Sequence, residues 1–258
     1  MTTISAKTAA GELLAAGHYA GEAFLCFERE YQEGDYIEIV TDAKHLEVQM
    51  DSAILPGEVY LPDGKMTWKV PFGEHRLAYS PAAFQGRHLI TAREMPREET
   101  LTKRNIARNP ADLRGTTDFY PHAEANVETR GESCFAARNV IDGMRIGNYH
   151  GEWPYQSWGI GAREDAWCKL SFGRAVAVDS MVLTLRSDFP HDAWWTNGHV
   201  VLSDGSEYAF PLEKTGDRQL IPLGEHIVEW MRLERMQKSD DPSAFPALIE
   251  WEVFGRDM

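Results

Sequence analysis

The sequence lacks an apolar run of the roughly 20 residues needed to cross a bilayer, so we expect no membrane partner. Basic residues are also scarce, with 26 Lys and Arg against 40 Asp and Glu and a net charge of −14. An acidic chain repels phosphate backbones, and we therefore expect no nucleic-acid partner. The 258 residues are 43% apolar and 11% aromatic, which excludes a disordered chain and suits one large domain or two smaller ones.

Cysteine is rare as well. Cys26, Cys134 and Cys168 are widely spaced and odd in number, which fits neither a disulfide framework nor a zinc site. We interpret them as small apolar residues of a protein in a reducing compartment. The first residues also lack the basic start and uninterrupted apolar core of a secretory signal. These features together predict a cytoplasmic protein.

Short runs with near period-2 alternation and many β-branched or aromatic residues predict an all-β fold. The clearer runs are Glu22–Phe27, Asp35–Val40, His45–Met50, Met66–Val70, Ala166–Phe172, Met181–Arg186, Ile227–Leu233 and Leu248–Phe254. Asp63-Gly64 and Asp204-Gly205 each lie between such runs and favour tight hairpins. The segment Ser5–Ala16 is rich in alanine and is the one helix-like stretch, although a frayed terminus would look the same.

The distribution of tryptophan indicates two domains. Trp68 is alone in the first 150 residues, whereas the remaining seven of the 8 tryptophans follow. Between these regions, Arg93–Gly115 is charged, contains two prolines and shows no strand period, as a connector would. We predict an N-terminal β-sandwich over residues 1–105, a connector over 106–122 and a second β-sandwich over 123–258.

Common catalytic motifs are absent. The sequence contains no GxxxxGK[ST], no GxGxxG after a strand, no HExxH and no GxSxG. These absences favour a binding protein over an enzyme. Paired carboxylates for glycoside hydrolysis stay open, because such residues are recognised by their geometry and not by their spacing in sequence.

Two stretches, Tyr149–Trp158 and Arg186–Trp195, place aromatic rings beside charged groups and proline. Exposed ring faces stack on the C–H faces of sugars, while carboxylates, guanidiniums and imidazoles bind the hydroxyls. Adjacent tryptophans at 194 and 195 are hard to bury together, because in a strand they would point to opposite sides and in a loop at least one ring would be exposed. The predicted sugar-binding residues are His150, Trp153, Arg186, Asp188, His191, Asp192, Trp194 and Trp195.

A third stretch, Ala137–Gly143 (ARNVIDG), contains Asp142 followed by glycine. Hard cations accept carboxylate and carbonyl oxygens from loops, so Asp142 is a candidate ligand for a structural calcium ion. The simpler interpretation of Asp-Gly is a turn. No other cofactor is expected.

The C-terminal motifs, taken in order, resemble those of discoidin-like domains, the coagulation-factor type C group with a galactose-binding-like fold. ARNVIDG is similar to the family's N-A-I-D-G opening, and Trp167–Gly173 (WCKLSFG) is similar to its W-x-x-(I/V)-D-(L/F)-G strand, with Ser171 replacing the usual Asp. Ser203–Gly205 (SDG) and Glu252–Gly255 (EVFG) complete the pattern over roughly residues 123–258. The chain also resembles bacterial carbohydrate-binding-like proteins with a DFPHD-W loop.

The resemblance implies an eight-stranded jelly-roll sandwich that binds sugars, lipid head groups or proteins through loops at one end. Some members carry a calcium ion near the Asp-Gly loop. Fucose-binding members use a histidine and arginines on these loops, for which His150 and Arg186 are the nearest candidates here. The acidic, proline-containing loops of this chain disfavour an anionic membrane.

We therefore expect a non-catalytic carbohydrate-binding protein. One alternative is a glycoside-active enzyme in which Asp188, Asp192 or Glu152 acts as acid or base in a cleft between the domains. Another is a protein-interaction module whose aromatic residues anchor a partner or a second copy of the chain, so that a homo-oligomer stays open.

Overall fold

The computed structural model of the chain describes residues 1–19, 22–148, 151–187 and 193–258. Within those residues, neighbouring strands run antiparallel in three sheets, and the all-β prediction is confirmed. In the described ranges, helical structure is confined to α1 (Arg97–Thr100) and the 3-10 helices Gly73–Ala78, Thr129–Gly131, Ser133–Phe135 and Ala137–Ile141. No helix in this part of the chain combines the length and apolar composition needed to cross a membrane.

The first sandwich consists of two four-stranded sheets. Its strands are β1 (Thr2–Lys7), β2 (Leu13–Tyr19), β3 (Glu22–Phe27), β4 (Tyr36–Val40), β5 (His45–Gln49), β6 (Gly57–Tyr60), β7 (Lys65–Lys69) and β8 (His88–Glu94). One sheet has the order β2-β1-β4-β7 and the other β3-β8-β5-β6. Inward residues of both sheets, such as Ile39 and Ile90, join one buried cluster, because alternate side chains of each strand face the same side.

The helix expected at Ser5–Ala16 is wrong, because β1 and β2 form an antiparallel hairpin there. Ile4 and Ala6 alternate with half-buried neighbours and are fully buried, which is a strand pattern. The turn closes with the Gly11 N–H donating to the Thr8 carbonyl, and Gly11 takes a φ of +84° that glycine tolerates best. Pairing of β1 with β4 and burial of its inner face outweigh the helix propensity of alanine.

The second sandwich is built from one eight-stranded sheet that curves around its own core. Its strands are β9 (Arg104–Asn105), β10 (His122–Ala125), β11 (Trp158–Gly159), β12 (Cys168–Arg186), β13 (Trp195–Leu202), β14 (Glu207–Pro211), β15 (Gln219–Lys238) and β16 (Ala247–Asp257). The order is β11-β16-β12-β15-β13-β14, with β10 pairing with β12 and β9 with β16. The core contains Phe172, Trp158, Trp195 and Trp251, each at most 1% exposed.

Strand β12 is 19 residues long and pairs with three other strands of the second sandwich. Its first residues pair with β10 and β15, whereas the part after Val176 lies between β15 and β16. The register breaks between Ser171 and Val176, where β12 bends. Gly173 lies in this break with a φ of +68°, and a Cβ there would lie 2.3 Å from the ring of Tyr120, so only glycine fits.

Residues 104–122, which we call the seam, run between the two sandwiches and are packed against both. Ile106 and Ala107 join the core of the second sandwich, whereas Ala111 and Phe119 join that of the first. The indole of Trp68 donates to the Ala111 carbonyl at 2.8 Å. The seam is therefore an ordered layer and not a loose tether.

An ion cluster joins the sandwiches at one edge of the seam. The Arg104 guanidinium donates to Glu58 of the first sandwich and, at 2.8 Å, to Asp257 of the second. Arg174 also donates to Asp257 and lies 4.8 Å from the ring centroid of Tyr60. Because β9 pairs with β16, residues 104–105 share the second sheet system, while the predicted division at residue 105 stays a prediction.

Replacing Phe172 by alanine should lower the free energy of unfolding by about 3–5 kcal/mol, because the ring is fully buried and its removal leaves a cavity. Chemical denaturation of both proteins measures the change. Ile227→Ala is the control, since Ile227 lies in the same sheet but is 53% exposed and should cost far less. Equal losses for the two variants would contradict the packing of β12.

His45 should make the protein sensitive to acid. Burial, assisted by the nearby Arg174 guanidinium, lowers the pKa of His45 to about 4 from its usual 6.5. The neutral imidazole therefore stabilises the fold above pH 6.5, and this stabilisation is lost as the pH falls towards 4. Between pH 7 and pH 4.5, the His45→Gln variant should lose less unfolding free energy than the unmodified protein, by on the order of 2 kcal/mol. Parallel losses in the two proteins would contradict this assignment.

Candidate functional site

Half of the predicted sugar-binding residues lie within the described part of the chain. These are Trp153, Arg186, Trp194 and Trp195. The other four predictions, His150, Asp188, His191 and Asp192, lie outside the described residues.

The two aromatic stretches are brought together at the ends of β11, β12 and β13. The indoles of Trp158 and Trp195 stack with ring centroids 6.3 Å apart and an interplanar angle of 26°. The guanidinium carbon of Arg186, at the end of β12, lies 6.0 Å from the ring centroid of Tyr155. Residues 155–158 therefore lie beside Arg186 and the start of β13.

The structure corrects the role expected for Trp195. Its side chain is 1% exposed and packs in the core, so its ring has no free face for a sugar. Arg186 is also buried, at 4% exposure. Trp194 is half-buried against the same core, and Trp153 is half-buried at a separate place. The adjacent tryptophans thus behave mainly as packing residues, because β13 begins at Trp195 and turns that ring inward.

Trp153 lies on the wall of a cavity of about 300 Å³ between the two sandwiches, which we call the Trp153 cavity. Polar groups on its wall come from Gln49, Ser52, Tyr79, Ser80, Arg138, Asp142 and Gln156. Apolar contacts come from Ala53, Ile54, Leu55, Pro56, Ala78, Pro110 and Met144. Both sandwiches and the seam therefore contribute to this one concave surface, which also holds two residues singled out in the sequence, Trp153 and Asp142.

Arg138 is a rigid part of the wall. It is 6% exposed, and its guanidinium donates to the carbonyls of Asp112 at 2.7 Å and Pro110 at 2.8 Å. A further bond runs to the side-chain oxygen of Asn139 at 3.1 Å, and the guanidinium carbon lies 4.7 Å from the ring centroid of Tyr79. The 3-10 helix Ala137–Ile141 thus holds Arg138 against the seam and the first sandwich.

Asp142 follows the same helix and is 8% exposed. One carboxylate oxygen accepts the Met144 N–H at 2.8 Å, and the other accepts the Gln156 amide at 3.2 Å. Burial raises the pKa of Asp142 to about 6, although Arg138 at 3.9 Å opposes the shift. Asp142 is therefore a fixed acceptor that also orients the Gln156 side chain.

The calcium site expected at Asp142 stays a prediction. Both oxygens of its carboxylate already accept protein hydrogen bonds, and its nearest charged neighbour in the wall is the Arg138 guanidinium. Across the described residues, no group of three or more His, Cys, Asp or Glu side chains is arranged to hold a metal ion.

Two polar atoms within the wall have no hydrogen-bond partner among the described residues. They are the hydroxyl of Tyr79 and the indole nitrogen of Trp153, and both atoms are buried. An unsatisfied buried donor costs about 1–3 kcal/mol, so such atoms call for an explanation in a native structure. Because both atoms belong to the wall of the same cavity, this wall is a candidate binding surface.

Sequence reasoning missed Tyr79, Arg138 and Gln156. Arg138 lies inside the ARNVIDG stretch, and Gln156 lies inside the first aromatic stretch, so both were within reach of the motif analysis. Tyr79 gave no signal, because its place in the wall depends on the packing of the first sandwich against Arg138, 59 residues further along the chain.

No protein-family model matches this chain, and no curated protein matches it. Solved structures similar to it include the family 32 carbohydrate-binding module of C. perfringens NanJ in complex with galactose, at 17% identity. That match covers 51% of this chain and 91% of the module, with a TM-score of 0.39. The chain is also similar to chitosan-binding module 1 of a Paenibacillus chitosanase/glucanase, at 15% identity over 59% of this chain and 99% of the module, with a TM-score of 0.43.

A third similar structure is the lectin domain of lectinolysin complexed with Lewis B antigen. It shares 19% identity over 60% of this chain and 98% of that domain, with a TM-score of 0.45. These three structures are a carbohydrate-binding module, a chitosan-binding module and a lectin domain. At these identities and TM-scores the matches assign neither a function nor a site residue to this chain, and its β-sandwiches are established by its own strand pairing.

Trp195→Ala and Trp194→Ala should differ sharply in stability. Removing the fully buried Trp195 ring should lower the free energy of unfolding by about 3–5 kcal/mol, because the stack with Trp158 is lost and a cavity remains. Removing the half-buried Trp194 ring should cost less than half as much. Denaturant titration of the two variants tests this, and a milder effect for Trp195 would show that its ring does not pack in the core.

Proposed function

We propose that the chain is a non-catalytic carbohydrate-binding protein whose sugar site is the Trp153 cavity. The observation that carries the proposal is the combination, on one concave wall, of the half-buried Trp153 ring with the fixed polar side chains of Asp142 and Gln156. A sugar presents an apolar C–H face and a set of hydroxyls, so its site needs an aromatic plane beside directional donors and acceptors.

The polar groups of the cavity are positioned before any ligand arrives. Asp142 holds the Gln156 amide at 3.2 Å, and Arg138 is held by two backbone carbonyls of the seam. Preorganised groups lose little conformational entropy on binding, which favours a small polar ligand. The cavity volume of about 300 Å³ is at the lower end of the range for small-molecule sites and suits one sugar unit.

This proposal keeps Trp153 from the sequence analysis and replaces several of its polar partners. Arg186 and Trp195 are buried beside Tyr155 and Trp158, respectively, and do not line the cavity. Asp142 changes from a candidate calcium ligand to a hydrogen-bond acceptor in the wall.

The glycoside-active alternative rests on one observation, the pKa of about 6 that burial gives Asp142, which suits a general acid. Glycoside hydrolysis ordinarily uses two carboxyl groups flanking the sugar. Among the described residues of the cavity wall, Asp142 is the one carboxylate, and the exposed Glu152 does not line the cavity. This composition supports binding over hydrolysis.

A glycan array followed by calorimetry on the best ligand tests the proposal. Trp153→Ala should weaken binding by about tenfold or more, equivalent to ~1.4 kcal/mol, because the stacking face is lost. The control is Trp230→Ala, since Trp230 is also half-buried but lies on β15 outside the cavity, and this variant should bind normally.

Three outcomes decide between the interpretations. Absence of glycan binding by the unmodified protein would contradict the function, and full binding by Trp153→Ala would contradict the location. Release of reducing sugar that disappears in Asp142→Asn would replace the binding proposal with the glycoside-active alternative.

A further inference from the structure

A second cavity, of about 280 Å³, lies on the other side of Gly143 and carries a different chemistry. Three guanidiniums line it, from Arg108, Arg145 and Arg218, together with the carboxylates of Glu250 and Glu252. We call it the arginine cavity. Even with both glutamates ionised, three cations face two anions, although the chain as a whole carries a net charge of −14.

The two carboxylates are occupied by fixed protein donors. Glu252 is 4% exposed and receives the Arg218 guanidinium through two bonds, at 2.7 and 3.1 Å. Glu250 is 1% exposed, and both of its oxygens lie 3.2 Å from the Gly143 N–H. Alternate residues of β16 point to one side, so the two glutamates line this cavity while Trp251 packs in the core.

Two guanidiniums keep most of their donors available. Arg145 contacts Glu252 only at 3.7 Å, beyond hydrogen-bond distance. Arg108 is half-buried, and its guanidinium has no hydrogen bond or ion pair within 4 Å to any residue that the structure describes, although its charge acts on the more distant Glu58 carboxylate. Desolvating a guanidinium without pairing it is unfavourable, so this arrangement fits a site in which a ligand supplies the negative charge.

Gly143 makes room for the Arg108 side chain. A Cβ at this position would lie 3.1 Å from Cδ of Arg108, and Gly143 has a φ of +81° that favours glycine. The Asp-Gly pair therefore separates the two cavities: Asp142 lines the Trp153 cavity, while Gly143 holds Glu250 and borders Arg108 in the arginine cavity.

We propose that the arginine cavity binds a small anionic ligand through Arg108 and Arg145. Guanidiniums present planar pairs of N–H donors that match carboxylate, sulfate and phosphate oxygens. The shared chemistry is a group with two or more anionic oxygens, carried by an acidic sugar or by a free inorganic anion. This site is independent of the sugar site proposed above, since no side chain lines both cavities among the residues that the structure describes.

Thermal unfolding of the full chain tests the proposal. The melting temperature is measured in sodium sulfate, sodium phosphate and sodium glucuronate, and each value is compared with that in sodium chloride at the same ionic strength. A ligand bound only to the folded protein raises the melting temperature by mass action. At a ligand concentration of about ten times the dissociation constant, the rise should be about 3 °C. Stabilisation by sulfate or phosphate identifies an inorganic oxyanion, whereas stabilisation by glucuronate alone identifies a carboxylate sugar.

Sulfate and phosphate also stabilise proteins without binding, so the variants decide the result. Arg108→Gln should lose the anion-dependent rise in melting temperature. Arg145→Gln should reduce that rise by at least half, and its half-exposed side chain makes it the less disruptive of the two changes. Arg256→Gln is the matched control, because Arg256 lies on the same strand as Glu252 but pairs with Glu225 outside the cavity, and it should keep the full rise.

The proposal is overturned if none of the three anions stabilises the protein beyond chloride. It is equally overturned if Arg108→Gln and Arg145→Gln keep the same rise as Arg256→Gln. Loss of glycan binding in Trp153→Ala would have no bearing on it, so the two proposals fail separately.

Discussion

The need to satisfy one buried charge, that of Arg138, organises the region where the two sandwiches meet. A guanidinium at 6% exposure is tolerated only if its N–H groups find acceptors, and here two of them are backbone carbonyls of the seam. Asp112, one of these acceptors, also binds the His122 imidazole at 2.7 Å and the Ala123 N–H at 2.9 Å. One arginine thereby links the seam, the start of β10 and the ring of Tyr79 into a single polar network.

This network explains why both candidate sites lie next to the Asp-Gly turn at 142–143. The 3-10 helix that presents Arg138 ends at Ile141, so the next two residues are held in place between the sandwiches. Their side chains and backbone then divide the space into two cavities of opposite character, one with an aromatic ring and one with three guanidiniums. The first sandwich contributes directly to this arrangement, because Tyr79 and the loop at 52–56 form part of the Trp153 cavity.

Much of the fold could be predicted from the sequence, because strand alternation is a local property. Glu22–Phe27 is a strand with the expected bounds, and Asp204-Gly205 lies at the hairpin turn between β13 and β14 with glycine at positive φ. The hairpin expected at Asp63-Gly64 is wrong, because the turn there leads from β6 in one sheet to β7 in the other. The sequence analysis separated Ala166–Phe172 from Met181–Arg186, whereas the structure joins both in β12, since a bend with a register break looks like a turn in sequence. Ser5–Ala16 was wrong because pairing across the sheet, which local propensity does not report, decides its structure.

The site was less accessible to sequence reasoning. Trp153 and Asp142 were singled out for different chemistries, and only the fold places them on one wall. Trp195 looked like a surface ring because of its neighbour Trp194, yet its burial depends on Trp158, which lies 37 residues earlier in the chain. A cavity wall assembled from five separate stretches of the chain leaves no contiguous pattern, so its residues became visible together only with the packing of the two sandwiches.

Strand β12 has a consequence for how the second sandwich comes apart. Because one continuous backbone supplies hydrogen bonds to β10, β15 and β16, neither side of the sandwich can open without disturbing the other. Separation of β12 would therefore break the pairing of all three strands, and the backbone amides that bond between β12 and these strands should exchange with solvent through a common opening.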